Sequence, residues 1–317
     1  MPAIEITDLW RTYPGGVEAV AGVSLEVGEG EIFAFLGPNG AGKTTTVRML
    51  VTLLKPTRGS ARVAGFDVVT QADDVRRHVG VALQEAALDP LMTGTELLSL
   101  QATLQRLERD DDRDRRLLDE VGLSEAADRR VSTYSGGMRR RLDLALALVH
   151  EPPVLFLDEP TTGLDPTSRV AIWERVRDLS RRGTTVFLTT QYLEEADKLA
   201  DRVTIIDRGR IVAAGTPEQL KAEAGRPRLD VTLTDATALP VDELLGRFGQ
   251  PLPSDNGGFS VALGNGARDV APIVRALDEA GVAVQSIELV APSLDDVFVA
   301  KTGRRLEGAR TSNGASG

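Results

Sequence analysis

The stretch Ile32-Phe33-Ala34-Phe35-Leu36-Gly37-Pro38-Asn39-Gly40-Ala41-Gly42-Lys43-Thr44 decides how the chain is read. Its first five residues form a short run that is apolar on both faces, the pattern of a strand buried in a parallel sheet. The run ends at Gly37, and Gly37 to Thr44 fits G-x-x-x-x-G-K-[ST]. Helical spacing follows from Thr44 to Leu54, stopped before Pro56. Glycines in such a loop let backbone N–H groups face an anion with no Cβ in the way. The helix start adds the positive end of its dipole. Lys43 can reach β- and γ-phosphates as a point charge, and the Thr44 hydroxyl can ligate Mg²⁺. The nucleotide-binding set read here is Gly37, Pro38, Asn39, Gly40, Ala41, Gly42, Lys43, Thr44 and Thr45.

A second apolar run, Val154 to Leu157, delivers two adjacent carboxylates, Asp158 and Glu159. This arrangement suits a metal-assisted hydrolase: Asp158 binds Mg²⁺, and Glu159 orients or deprotonates the attacking water. About 20 residues earlier, Tyr134-Ser135-Gly136-Gly137-Met138 opens a helical run through Val149. A Ser-Gly-Gly turn at a helix start is a second anion site.

Around these motifs, strand candidates alternate with helical segments. The strands are Ile4–Leu9, Val23–Val27, Ser60–Val63, Val79–Leu83, Thr185–Thr189, and a pair, Val203–Ile206 and Ile211–Ala213, around an Arg208-Gly209 turn. The helices are Val170–Ser180 and Leu193–Leu199, and the segment from about Thr95 to Arg130 is helical and heavily charged. The alternation predicts an α/β fold with a parallel sheet and crossover helices. After about Leu220 the pattern changes to a small α+β unit: strands Leu229–Leu233, Phe259–Leu263 and Val282–Val290, and helical spacing over Val270–Ala280. The Gly-, Ser- and Arg-rich tail from Gly303 to Gly317 is expected to be disordered.

Composition sets the outer bounds. The 317 residues, 42% hydrophobic and 26% charged, predict about two globular domains. Lys+Arg is 37 against Asp+Glu 47, a net charge of -10 that argues against nucleic acid as a partner. With no cysteine, disulfides and thiolate metal sites are excluded. No apolar stretch reaches the roughly 18 residues a membrane span needs, and Met1 to Trp10 lacks the pattern of a signal peptide. Arg139 to Arg141 reads as an interface or phosphate-proximal helix start, since three basic residues are too few for nucleic-acid affinity on an acidic chain. His78 and His150 read as ordinary polar residues, and Trp10 and Trp173 as core or interface aromatics.

A phosphate loop, then Ser-Gly-Gly, then Asp-Glu resembles the cassette of ABC-type ATPases over roughly residues 3 to 220. The resemblance implies a P-loop NTPase cassette with a mixed sheet core and a helical subdomain at about 85–150. It also places Tyr13, 24 residues before Gly37, where an aromatic stacks on adenine. Gln84 falls at the lid glutamine that contacts Mg²⁺ and the water. Gly163-Leu164-Asp165 matches the loop that crosses a dimer interface. Two positions depart from the common pattern: Tyr134 and Met138 flank Ser-Gly-Gly where Leu and Gln are usual, and Gln191 stands where a γ-phosphate-sensing histidine is common. Glutamine donates an amide hydrogen bond but cannot become cationic. Thr133–Asp143, Thr189–Leu193 and the ending Ser293–Gly303 are similar to the daunorubicin-resistance type of drug-export ATPase.

The resemblance implies an ATPase with ATP and Mg²⁺ as cofactors, working as a head-to-tail homodimer. Each site would take Lys43, Thr44, Gln84, Asp158, Glu159 and Gln191 from one chain and Ser135, Gly136 and Gly137 from the other. The catalytic set is Glu159, Gln191 and Gln84; the metal set is Thr44, Gln84 and Asp158. A separate membrane permease would carry the drug and hold the ATPase at the inner face of the cell membrane, on the cytoplasmic side. Residues 221–302 would form a dimerisation or regulatory domain, with Phe298 packing between the two copies. An importer ATPase for a small solute and an ABC ATPase working off the membrane stand as alternatives.

Overall fold

The computed structural model describes residues 2–84, 88–234, 241–252 and 258–304. The chain divides into two compact units, one ending at Pro217 and the other running from Glu218 to Gly303.

The first unit opens with an antiparallel hairpin, β1 (Ile4–Tyr13) and β2 (Val17–Val27), in which Tyr13 pairs with Val17 across the turn. Both strands run beyond their apolar centres, because hairpin pairing holds polar ends that alternation alone does not mark as strand. β3 (Ile32–Leu36) is buried at every residue, as its run predicts. The loop then leads into α1 (Lys43–Leu50). This helix stops short of the expected Leu54: Val51 leaves helical geometry and Thr52 is left-handed (φ 65°). β4 (Arg58–Val63) and β5 (Phe66–Asp67) complete a four-stranded antiparallel sheet in the order β2-β1-β4-β5.

A short helix, α2 (Ala72–His78), precedes β6 (Val79–Ala82). It is too short to show clear helical periodicity in the sequence, and it begins with Asp73 and Asp74 and ends with Arg76, Arg77 and His78, which suits its dipole. The helical region follows as α3 (Gly94–Leu104), α4 (Asp111–Glu120) and α5 (Gly136–Ala147). Thr93 and Glu96 form a capping box on α3, and the Asp110 carboxylate caps α4. β7 (Val154–Asp158), α6 (Pro166–Arg181), β8 (Thr185–Thr190), α7 (Leu193–Leu199), β9 (Arg202–Asp207) and β10 (Arg210–Gly215) finish the unit.

The second sheet has the order β10-β9-β3-β8-β7-β6. Five strands are parallel, and β10 joins β9 antiparallel at one edge. β3, β7 and β8 therefore end side by side, with Leu36 opposite Thr190 and Asp158 opposite Thr189. Ligands of open parallel sheets bind beyond such carboxyl ends. Phe33, Phe35 and Phe156 pack around Phe187 at centroid distances of 5.3, 5.7 and 5.5 Å.

In the second unit, α8 (Pro217–Ala224) leads to β11 (Arg228–Leu233), α9 (Val241–Leu245), β12 (Gly249–Leu252), β13 (Phe259–Leu263), α10 (Val270–Glu279), β14 (Val284–Val290) and α11 (Leu294–Thr302). The antiparallel order β12-β13-β11-β14 with a β-α-β-β-α-β succession is the ferredoxin-like arrangement. Leu229, Val231, Val261 and Leu263 meet Ile273 and Leu277 of α10 in its core. Phe298 corrects one expectation: its side chain is fully buried within the single chain, so it offers no surface to a second copy. The expected disordered tail lies, beyond Arg304, outside the described residues.

Candidate nucleotide site

The loop after β3 is fixed by backbone contacts. Gly37 N–H donates to Thr190 O at 3.1 Å, and Gly209 N–H donates to Ala41 O at 2.9 Å. Gly42 caps α1 at φ 108°, and a Cβ there would lie 2.3 Å from Ala19 O. Only glycine fits both the dihedral and the approach of β2. Asn39 and Gly40 are exposed at the crest, whereas Ala41, Gly42 and Lys43 are buried.

The Lys43 ammonium donates to Gly37 O at 2.8 Å and Pro38 O at 3.1 Å and lies 3.1 Å from Glu159 Oε1. Thr44 Oγ1 donates to Asp158 Oδ1 at 3.2 Å. Thr189 Oγ1 donates to the same oxygen, while Glu159 N–H donates to Thr189 O and Oγ1, both at 3.1 Å. Thr162 Oγ1 donates to Glu159 Oε2 at 3.2 Å. Four of the expected residues, Lys43, Thr44, Asp158 and Glu159, thus meet at the ends of β3 and β7.

Asp158 is fully buried, and its Oδ2 has no hydrogen-bond partner among the described residues. A buried carboxylate oxygen left unpaired beside the Thr44 hydroxyl fits a hard cation that takes one carboxylate, one hydroxyl, phosphate oxygens and water. Glu159 sits at φ 51°, a left-handed conformation unusual for a non-glycine residue.

Tyr13, Gln84, Gln191 and Thr45 lie outside this set of hydrogen bonds and ion pairs. Half-buried Tyr13 ends β1 under a cation–π contact from Arg11 at 5.0 Å. Its partner strand passes the loop two residues beyond Val17, at Ala19. Gln84 is exposed just past β6, and Gln191 is half-buried just past β8. Thr45 lies half-buried in the first turn of α1.

Ser135, Gly136 and Gly137 occupy a different place. Ser135 caps α5, accepting from Met138 N–H at 3.2 Å. Ser135 and Gly136 are exposed, and Gly137 packs so closely on α6 that a Cβ would sit 2.9 Å from Ser168 Oγ. Asp165 caps α6, accepting from Ser168 Oγ at 2.6 Å and Ser168 N–H at 2.9 Å, and these bonds hold its carboxyl below the usual range. Tyr134 is buried and donates from its hydroxyl to Ala126 O at 2.6 Å, tying the motif to the helical region.

Two contributors, Thr189 and Glu195, escaped the sequence reading, and a third, Arg140, was read there only as part of an interface or phosphate-proximal helix start. Thr189 organises both carboxylate residues from the neighbouring strand. Glu195, wholly buried on α7, accepts from Thr161 Oγ1 at 2.8 Å and Trp173 Nε1 at 2.9 Å, and burial raises its pKa. Arg140 contacts the backbone on both sides of Glu159. The two sequence signals were a pair of threonines ending an apolar strand and an arginine triplet after Ser-Gly-Gly. The two histidines are spent on carbonyls, His78 on Asp74 O and His150 on Val79 O.

Comparison with known proteins agrees with this geometry. The family described as ABC transporter matches residues 20–162, and the family described as ATP-binding protein DrrA1-3-like, C-terminal domain, matches residues 215–302. The chain is 47% identical to the Daunorubicin resistance ATP-binding protein DrrA3 of Streptomyces coeruleorubidus, covering 95% of this chain and 96% of that one. It is 43% identical to the Doxorubicin resistance ATP-binding protein DrrA of Mycobacterium tuberculosis over 95% and 93%. A solved ATP-binding subunit of an ABC transporter superposes with a TM-score of 0.64 at 29% identity, over 70% of this chain and 92% of that one. A dimeric ATP-binding cassette in a post-hydrolysis state with ADP and Pi gives 0.63 at 26%, over 67% and 98%. The chain belongs to the ATP-binding subunits of ABC transporters, in their daunorubicin-resistance branch, and is an ATPase.

Proposed function

We propose that this ATPase powers export of a hydrophobic drug through a separate membrane permease, hydrolysing ATP at a head-to-tail homodimer interface. The observation that carries the catalytic part is the meeting of Lys43 and Thr44 with Asp158 and Glu159 at the ends of β3 and β7, two parallel strands on either side of β8. The drug class rests on relatives named for daunorubicin and doxorubicin resistance. No helix among the described residues is long and apolar enough to cross a membrane, which fits a second polypeptide as the conduit.

In this reading the loop N–H groups and Lys43 hold the phosphates, and Tyr13 stacks on the base. Thr44 and Asp158, with Gln84 from the lid, hold Mg²⁺, which neutralises charge on the phosphates when bound. Glu159 takes the proton of the attacking water at its carboxylate. Gln191 donates an amide hydrogen bond to the γ-phosphate. Ser135, Gly136 and Gly137 are exposed or at a helix start, as a motif completing the partner's site needs to be. The exposed leucines of the helical region, Leu91, Leu100 and Leu104, suit the permease contact. Residues 221–302 act as the dimerisation or regulatory domain, but not through Phe298.

The test is phosphate release by the full chain, alone and co-purified with a candidate permease and drug. Glu159→Gln should abolish turnover while ATP remains bound. Turnover at the wild-type rate in that variant would refute the catalytic assignment, and fractionation with membranes lacking any permease would refute the docking assignment.

A further inference from the structure

Three consecutive arginines follow the Ser-Gly-Gly turn on α5, and all three are spent on backbone carbonyls. Arg139 Nη1 donates to Tyr134 O at 2.7 Å. Arg141 Nη1 donates to Val121 O at 2.9 Å and Gly122 O at 3.1 Å. Arg140 spans the most. Its Nε donates to Pro160 O at 3.1 Å, its Nη2 to Asp158 O at 2.8 Å, and its Nη1 to Leu83 O. Asp143, one turn along α5, accepts from Nη1 at 3.1 Å and orients the guanidinium. The Arg140 side chain is only 10% exposed.

The identity of the acceptors gives this contact its meaning. Asp158 and Pro160 flank Glu159, and Leu83 immediately precedes Gln84. One planar cation therefore bridges the strand end that carries the carboxylates, the strand exit that carries the lid glutamine, and the helix opened by Ser135. Glu159 needs such support, because a non-glycine residue at φ 51° persists only where its surroundings impose the conformation. Thr189 holds the Glu159 N–H from the neighbouring strand, and Arg140 holds the carbonyls before and after it from α5.

We propose that Arg140 is a positioning residue for hydrolysis: its guanidinium sets the backbone on either side of Glu159 and locks the Gln84 exit to the signature helix. The proposal rests on Glu159 being the group that activates water. An arginine is required, because the three carbonyls lie on two separate segments and point at different nitrogens, which needs a fork of N–H donors. A lysine offers the same charge from a single point. A shift of about 1 Å in a positioned catalytic group costs up to roughly a hundredfold in rate.

Steady-state hydrolysis and binding of a fluorescent ATP analogue, both on the full chain, test this. Arg140→Ala and Arg140→Lys should each lower kcat by about ten- to a hundredfold. The analogue's Kd and the KM for ATP should stay within about threefold of wild type, since the phosphate-holding groups are untouched. Asp143→Asn should lower kcat less than either. Wild-type kcat in Arg140→Lys would show that charge alone suffices and would overturn the proposal. So would a parallel loss of binding and turnover in both variants, which a merely structural role predicts. If Arg140→Ala does not fold, Arg140→Lys decides. Wild-type turnover abolished by Glu159→Gln checks the underlying reading separately, so its failure and the failure of the clamp are told apart.

Discussion

The Lys43 ammonium lies 3.1 Å from the Glu159 carboxylate, and both side chains are almost wholly buried. The group that holds phosphate and the group that activates water are therefore each other's counter-charge. A polyphosphate must compete with Glu159 for the lysine. Glu159→Gln should then do two things: lower turnover by at least about a hundredfold, and leave ATP affinity equal to or tighter than wild type. Weaker ATP binding by the variant, measured with a fluorescent analogue, would contradict the pairing argument.

Thr189→Val keeps the β-branched shape on a buried strand but removes the hydroxyl shared by Asp158 and Glu159. Urea unfolding should show a loss of about 1–2 kcal/mol. Hydrolysis should fall further than ATP binding, because Lys43 and the loop keep their contacts. Unchanged stability and turnover would mean that the hydroxyl organises nothing.

Two loop glycines make a contrast. Gly40 has φ 78° and open space around an added Cβ, whereas Gly42 has φ 108° and a carbonyl oxygen 2.3 Å from one. Gly40→Ala should cost only the left-handed penalty of about 1–2 kcal/mol. Gly42→Ala should cost more and should abolish ATP binding, since β2 or the loop must move. Thermal unfolding of the two variants side by side reads this difference, and equal losses would refute it.

Burial pushes the Asp143 carboxyl up from 3.8 to about 6, against the opposing pull of Arg140. Between those values the folded chain holds a proton that the unfolded chain has lost. The site's contribution is thus full below pH 3.8 and is lost as pH rises through 6. The stability of wild type relative to Asp143→Asn should fall by about 2 kcal/mol between pH 4 and pH 7. Denaturation curves across that range would show a flat difference if Asp143 titrates normally.

The loop and the Asp158-Glu159 pair were legible because each is local: glycines at fixed spacing, and an apolar run ending in carboxylates. The ferredoxin-like order of the second unit was not, because strand order depends on partners far apart in sequence. Arg140 was hidden for a related reason. Its acceptors are backbone carbonyls, which every residue has, so no residue pattern announces them. Phe298 shows the converse error: an aromatic in a helix of a unit read as dimerising suggests an interface, and here it is buried within the chain.

The matched endings of β3, β7 and β8 also determine how the gene can change in length. Asp158 sits opposite Thr189, and Leu36 opposite Thr190. Side chains alternate faces along a strand, so one codon inserted within β7 turns Asp158 away from Thr44. The same codon added between α3 and α4 alters no strand register. Insertion scanning should therefore divide the cassette into intolerant strand interiors and permissive connections. In this protein the catalytic pair is inherited as a strand length as much as a pair of acidic codons.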